Sequence, residues 1–173
     1  MAEIKAIVYE SNTGNTRRYA EMLSDILQIP VFSTIDNSAL FGKRDEVIFL
    51  GWICAGKING LRLAKVKYNP VIIVGVGMMP PKNEYVLDIK MQNNIDESFF
   101  YLQAGVNPQR LKGFYKLMFK ALTRSLLRKA EGGYSQLSES DKSLVDIIKN
   151  GESFVSKENL SEIVKKYKEL TSN

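Results

Sequence analysis

Apolar residues along this chain fall into two alternating patterns. Short, nearly unbroken apolar runs bounded by Gly, Pro or Asn occur at Ile4 to Tyr9, Val31 to Ser33, Glu46 to Gly51, Val71 to Val76 and Ser98 to Ala104. Runs of this length predict five strands of a parallel sheet covered on both faces. Between them the period changes. Tyr19, Met22, Leu23, Ile26 and Leu27 follow the spacing of one buried helical face, with Asn15 or Thr16 as the cap. Shorter helices are expected around Asn59 to Lys67 and Pro81 to Asn94. A last helix from Lys157 to Leu170 sets Leu160, Ile163, Val164 and Tyr167 on one side and takes Ser156 as its N-cap. Gly105 to Gly151 is longer than a simple connection and is expected to hold helices of its own. The alternation predicts an α/β, doubly wound five-stranded parallel sheet with a helical insert after the fifth strand.

Length adds a bound. At 173 residues and 45% apolar content, one domain spanning residues 1–173, with its insert at about 105–151, suffices to bury a core. The chain enters its first strand almost at once and has no run of about 18 apolar residues, so a cytoplasmic protein is expected. A single cysteine, Cys54, excludes a disulfide, an all-cysteine zinc site or a cysteine-ligated iron–sulfur cluster built from this chain alone. The absence of histidine removes Ser-His-Asp and Cys-His catalysis and the commonest general base at neutral pH.

Candidate chemistry gathers in three loops that leave strand ends. Ser11-Asn12-Thr13-Gly14-Asn15-Thr16 joins the first strand to a helix, where backbone N–H groups, hydroxyls and the positive helix end converge on an anion. The bland reading of the same residues is a polar turn with a capping Thr. Trp52-Ile53-Cys54-Ala55-Gly56-Lys57 follows the third strand and Gly77-Met78-Met79-Pro80-Pro81 the fourth. Open sheets of this type bind ligands at such carboxyl ends, where strand order reverses. The three loops together suit a flat, phosphate-bearing ligand. Neither a P-loop nor a Gly-x-Gly-x-x-Gly dinucleotide motif follows the first strand. Cys54 reads as a small, partly buried spacer, since no second cysteine can resolve a redox thiol.

The loop from Ser11 to Thr16 resembles the flavodoxin phosphate-binding loop, T/S-x-T-G-x-T. Leu50 to Leu61, Phe100 to Gly105 and Leu111 resemble, more narrowly, the flavodoxin-domain branch containing menaquinone-dependent protoporphyrinogen dehydrogenases and small uncharacterised flavoproteins. The resemblance runs from about Ile4 to Leu127. It implies a flavodoxin-like sheet of order 2-1-3-4-5 and FMN as cofactor. The phosphate would lie on Ser11, Asn12, Thr13, Gly14, Asn15 and Thr16, and the ring between Trp52, Ile53, Cys54, Ala55, Gly56 and Lys57 on one side and Gly77, Met78 and Met79 on the other. The Gly77 loop has no tyrosine, so Met78 or Met79 is expected where flavodoxins commonly stack one. Gly56 is expected to let a peptide reorient beside the ring. No catalytic residue and no metal is expected, because the chemistry of such a site is the cofactor's.

Charge bears on the partner. The chain carries 24 basic and 19 acidic residues, unlike the acidic electron carriers of the family it resembles. From Ser98 to Ala130 there is no Asp or Glu, and Lys112, Lys116, Lys120, Arg124 and Arg128 recur every fourth residue opposite an apolar side. Such a segment at 110–129 reads either as a solvated face over a packed helix or as a contact for an anionic membrane, an acidic redox protein or an anionic substrate. No nucleic acid is expected. The first reading is an FMN-binding electron-transfer protein or small flavin-dependent oxidoreductase, meeting a redox protein or a small-molecule or quinone acceptor. The alternatives are a protoporphyrinogen dehydrogenase with a quinone acceptor and a flavin-free binding scaffold.

Overall fold

Parallel pairing organises the chain. A computed structural model describes residues 3–36, 42, 44–150 and 153–172, so Met1, Ala2 and Gly151, the expected end of the insert, lie outside the described residues. The strands are β1 (Ile4–Glu10), β2 (Val31–Ser33), β3 (Glu46–Cys54), β4 (Lys57–Ile58), β5 (Asn69–Gly77) and β6 (Ser98–Gln103). Sheet order is β2-β1-β3-β5-β6, all parallel, with β4 paired antiparallel to the end of β3. The five strands expected from the apolar runs are all present in the expected order. The two-residue β4 is an addition, and it extends β3 to Cys54.

Register sorts the strand side chains between two cores. Ile7, Ile48 and Ile72 align across β1, β3 and β5, and the next row, Val8, Phe49 and Ile73, aligns one residue on. Because successive residues of a strand point to opposite faces, the two rows enter different layers. The isoleucine row packs with Tyr19 and Leu23 of α1 (Asn15–Leu27) and with Leu160 and Ile163 at α6 (Ser161–Thr171). The other row packs with Leu61 and Ala64 of α2 (Leu61–Lys67) and Ile89 of α3 (Asn83–Gln92). The insert supplies α4 (Gly113–Glu131) and α5 (Glu139–Asn150), joined through a 3-10 turn at Tyr134–Gln136. Leu126, Leu137, Leu144 and Val145 form a small third core there, packed on Met78 and Met79.

Two expected caps are placed differently. Neither Asn15 nor Thr16 caps α1. Gly14 is the N-cap, in a left-handed conformation at φ 103°, with no side-chain cap. At that φ an L side chain is strained, and a Cβ on Gly14 would lie 2.9 Å from Arg110 Nη1. Ser156 caps no helix either. A 3-10 turn at Glu158–Leu160 with Lys157 as N-cap precedes α6, because Leu160 is drawn fully into the core and Asn159 is held by Tyr19.

Tyr19 fastens this arrangement. Its ring is fully buried and its hydroxyl lies 2.8 Å from the Gln103 carbonyl and 3.0 Å from that of Phe154, while Asn159 Nδ2 donates to it at 2.8 Å. One phenol thus ties α1 to the end of β6 and to the C-terminal segment. Burial, ahead of the bonds that oppose it, raises its pKa, so it stays a neutral donor. Tyr19→Phe removes the hydroxyl bonds to the part-buried Gln103 and Phe154 carbonyls and is expected to lower unfolding free energy by about 0.5–1.5 kcal/mol. The check is a lower urea midpoint at unchanged m-value, and an unchanged midpoint would show that the hydroxyl carries no stability.

Candidate functional site

The carboxyl ends of β1, β3, β5 and β6 share one edge of the sheet, and a cavity of about 430 Å³ opens there. The size suits a small-molecule ligand. A smaller pocket of about 280 Å³ adjoins it and shares Asn12, Trp52 and Tyr115.

The loop after β1 forms one end. Asn12, Thr13, Asn15 and Thr16 line the cavity, while Ser11 lines the smaller pocket with Glu10 and Asn59. Ser11 Oγ accepts the Arg17 N–H at 3.3 Å, and the Gly14 carbonyl accepts that of Arg18 at 3.0 Å. The cap residue of α1 has no side chain and the first turn holds no acidic residue, so no negative charge stands against the positive end of the helix. Asn12 Nδ2 is buried and, among the described residues, has no hydrogen-bond partner. A buried amide donor without a partner costs free energy that an anion or acceptor in the loop would recover. Arg110 lies over the loop, with Nη1 3.5 Å from the Thr13 carbonyl oxygen. Asn15 Nδ2 donates to the Gly105 carbonyl, joining the loop to the segment that follows β6.

The second loop is the tip of a hairpin. Cys54 pairs with Lys57 and Ile53 with Ile58, and the two residues between, Ala55 and Gly56, have φ of 47° and 78°. Two left-handed residues in succession make the tight turn that matches strand twist, and the second is glycine. Asn93 clamps the turn: its Nδ2 donates to the Gly56 carbonyl at 2.8 Å and its Oδ1 accepts the Ile58 N–H at 2.9 Å. The carbonyl of Gly56, the glycine expected to let a peptide reorient, is therefore held by a side chain. A Cβ at Gly56 would meet Gln92 Oε1 at 2.1 Å. Trp52, Ile53, Cys54, Ala55 and Gly56 line the cavity, whereas Lys57 Nζ donates to the Gln92 carbonyl at the end of α3. Burial raises the Cys54 thiol pKa, which keeps it protonated at neutral pH.

The third loop is held from β6. Tyr101 donates to the Met79 carbonyl at 2.6 Å and Gln103 Nε2 to that of Met78 at 3.2 Å. Burial pushes the Tyr101 pKa far up, so its phenol remains a donor. Gly77, Met78 and Met79 line the cavity with Tyr85.

Sequence reasoning did not identify the fourth wall as part of the site. Leu111, Tyr115, Met118, Phe119 and Leu122 from the insert cover the cavity, with Leu144 behind them. Tyr115 meets Trp52 edge to face with ring centroids 4.7 Å apart. The aromatic missing from the Gly77 loop thus arrives from α4. Its sequence signal was the apolar side of the basic segment, which did not say what that side would cover. Of the fifteen candidate site residues, twelve line the main cavity, Ser11 lines the adjoining pocket, and Gly14 and Lys57 line neither.

No lining residue of the main cavity is Asp, Glu, Lys or Arg, and among the described residues no cluster of metal-ligating side chains occurs. The chamber can hold a flat, largely apolar group whose anionic end meets main-chain N–H groups. A comparison with curated proteins gives no match. The family model for the flavodoxin domain matches residues 6–132. That match covers well over half of the chain, on a sheet with the strand order of such domains and a cavity at its switch point, so the chain belongs to the flavodoxin-domain family, whose members bind flavin and serve in electron transfer.

Proposed function

We propose that the chain binds FMN and acts through it as an electron-transfer protein or small flavin-dependent oxidoreductase. The observation that carries this is the buried, partnerless Asn12 amide in an uncapped strand-to-helix loop that opens onto an apolar chamber. The donor set fits the cofactor: Ser11 to Thr16, with Arg110, would hold the phosphate, and Trp52 to Gly56 with Gly77 to Met79 would hold the ring. When bound, the flavin supplies one- and two-electron redox chemistry.

The residues of the chain do the rest. Trp52 and Tyr115 meet edge to face at the wall of the chamber, so α4 covers part of its mouth. Asn93 fixes the Ala55-Gly56 turn, so the main-chain groups facing the chamber are set before anything binds. Tyr101 and Gln103 do the same for Met78 and Met79. With no carboxylate, amine or guanidinium in its lining, the chamber offers polarity through dipoles and hydroxyls only. A proton exchanged there travels by water or the reacting partner.

A second reading, a porphyrinogen dehydrogenase with a quinone acceptor, rests on the resemblance of Leu50 to Leu61. It is favoured by the apolar surface that Met118, Phe119, Leu122 and Leu144 add to the chamber, which suits a bulky apolar co-substrate. Oxidation of porphyrinogen coupled to quinone reduction by the purified protein would separate it from plain electron transfer.

Trp52 is the sole tryptophan and lines the cavity, so its fluorescence reports occupancy directly. FMN is expected to quench it saturably and riboflavin more weakly. Absence of quenching together with absence of retained flavin would leave a flavin-free scaffold. Asn12→Asp, which sets a carboxylate against the phosphate, and Arg110→Gln, which removes a cation, are each expected to weaken FMN binding by about tenfold, or about 1.4 kcal/mol, and to leave riboflavin unchanged. Equal losses for both flavins would remove the phosphate assignment. Asn93→Ala is expected to cost about 1–3 kcal/mol of stability and to weaken both flavins alike. Denaturant titration and the same fluorescence assay read the two effects, and unaltered flavin affinity would show that the hairpin needs no clamp.

A further inference from the structure

We infer that the outward face of α4 docks the protein on an anionic lipid surface, independently of whether flavin occupies the cavity. The inner face of α4 is accounted for: Tyr115, Met118, Phe119 and Leu122 line the chamber and Leu126 is buried in the insert core. Phe114 and Leu117 are not on that face. They are 69% and 67% exposed, large apolar side chains held in water at the start of a 19-residue helix.

Their surroundings identify the partner. At about 100° per residue, Phe114, Leu117 and Ala121 fall along one line of the helix, and Lys116, Lys120 and Arg124 along its flank. All three bases are exposed, and among the described residues none of them forms an ion pair. No acidic residue lies between Ser98 and Ala130 to offset them. A second copy of the chain docked helix to helix would bring like charges together. An acidic protein would satisfy the bases, but a protein interface anchors apolar side chains in shaped pockets. A convex helix with apolar tips and a basic flank matches an interface that yields around it, where the tips enter the acyl boundary and the bases meet anionic headgroups. The same helix roofs the cavity, so docking would bring the chamber to the membrane surface.

The test is co-sedimentation of the full-length protein with vesicles of phosphatidylcholine alone and of an equal mixture with phosphatidylglycerol. Sedimentation is expected with the mixed vesicles, falling with salt, and not with the neutral ones. Lys116→Gln with Lys120→Gln is expected to weaken partition by about fivefold per charge removed. Phe114→Ser with Leu117→Ser is expected to weaken it at low salt as well. These four side chains do not line the cavity, so circular dichroism and flavin titration should match the parent and certify the fold. Equal sedimentation with both vesicle types, no sedimentation with either, or undiminished binding of both paired variants would overturn the inference. So would saturable binding to poly-glutamate, lost on Phe114→Ser with Leu117→Ser, without vesicle binding, which would assign the face to an acidic protein.

Discussion

Parallel strands cannot be joined by tight hairpins, and this constraint governs where everything else in the molecule lies. The connections that carry α1, α2 and α3 return the chain over a face of the sheet, and because the five strands run parallel each delivers its carboxyl end to the same edge. At that edge the loop after β1 meets the β3–β4 hairpin and the loop after β5. None of these segments has to reach far to face the others. The antiparallel pairing of β3 with β4, Ile53 with Ile58 and Cys54 with Lys57, occurs beyond the parallel ladder, where β3 has run past its neighbour β1. It folds the end of β3 back over the edge as a rigid lip.

The edge would stand open without the insert. α4 lays Tyr115, Met118, Phe119 and Leu122 across it, and the insert core reaches back to Met78 and Met79. The two methionines therefore serve two neighbours, lining the chamber and anchoring the helical hairpin of α4 and α5. Flexible thioether side chains suit that double contact better than branched ones, since they fill the irregular seam between a sheet edge and a helix pair. Asn15 and Arg110 add polar links between the phosphate-type loop and the segment that leads into α4.

The central strands β1, β3 and β5 were legible because burial on both faces leaves an unmistakable apolar run, the half-buried edge strands β2 and β6 because their short apolar runs have clear bounds, and the order followed from the family resemblance. Twelve of the fifteen candidate residues line the chamber because strand-end loops have no other place to go. The caps were misread for a local reason: a polar Asn or Thr beside Gly14 reads as a cap, yet the glycine takes the left-handed conformation and the cap position with it. β4 was missed because two residues, Lys57 and Ile58, carry no periodicity. Tyr115 was missed because spacing gives the faces of a helix but not what lies beneath them, and Arg110 because it stands in the turn before α4, where no periodicity says which loop it meets. The basic stripe was visible, and its apolar side was visible. That this side roofs the cavity depends on contacts between residues far apart in sequence.

Charge is distributed with a clear boundary. The chamber walls hold no ionised side chain, while the outer face of the helix that roofs it carries Lys116, Lys120 and Arg124 without acidic neighbours. In a low-dielectric space a lone ammonium or guanidinium would dominate every local potential, whereas in water the same group is screened within about 10 Å. Placing these bases outside leaves the electrostatics of the chamber to the α1 end, the Arg110 guanidinium over the loop after β1, the hairpin peptides and the loop hydroxyls. A substitution on the outer face of α4 should therefore alter what the protein meets without altering what its chamber does. The separation gives one helix an apolar inner face over the cavity and a basic outer face in water.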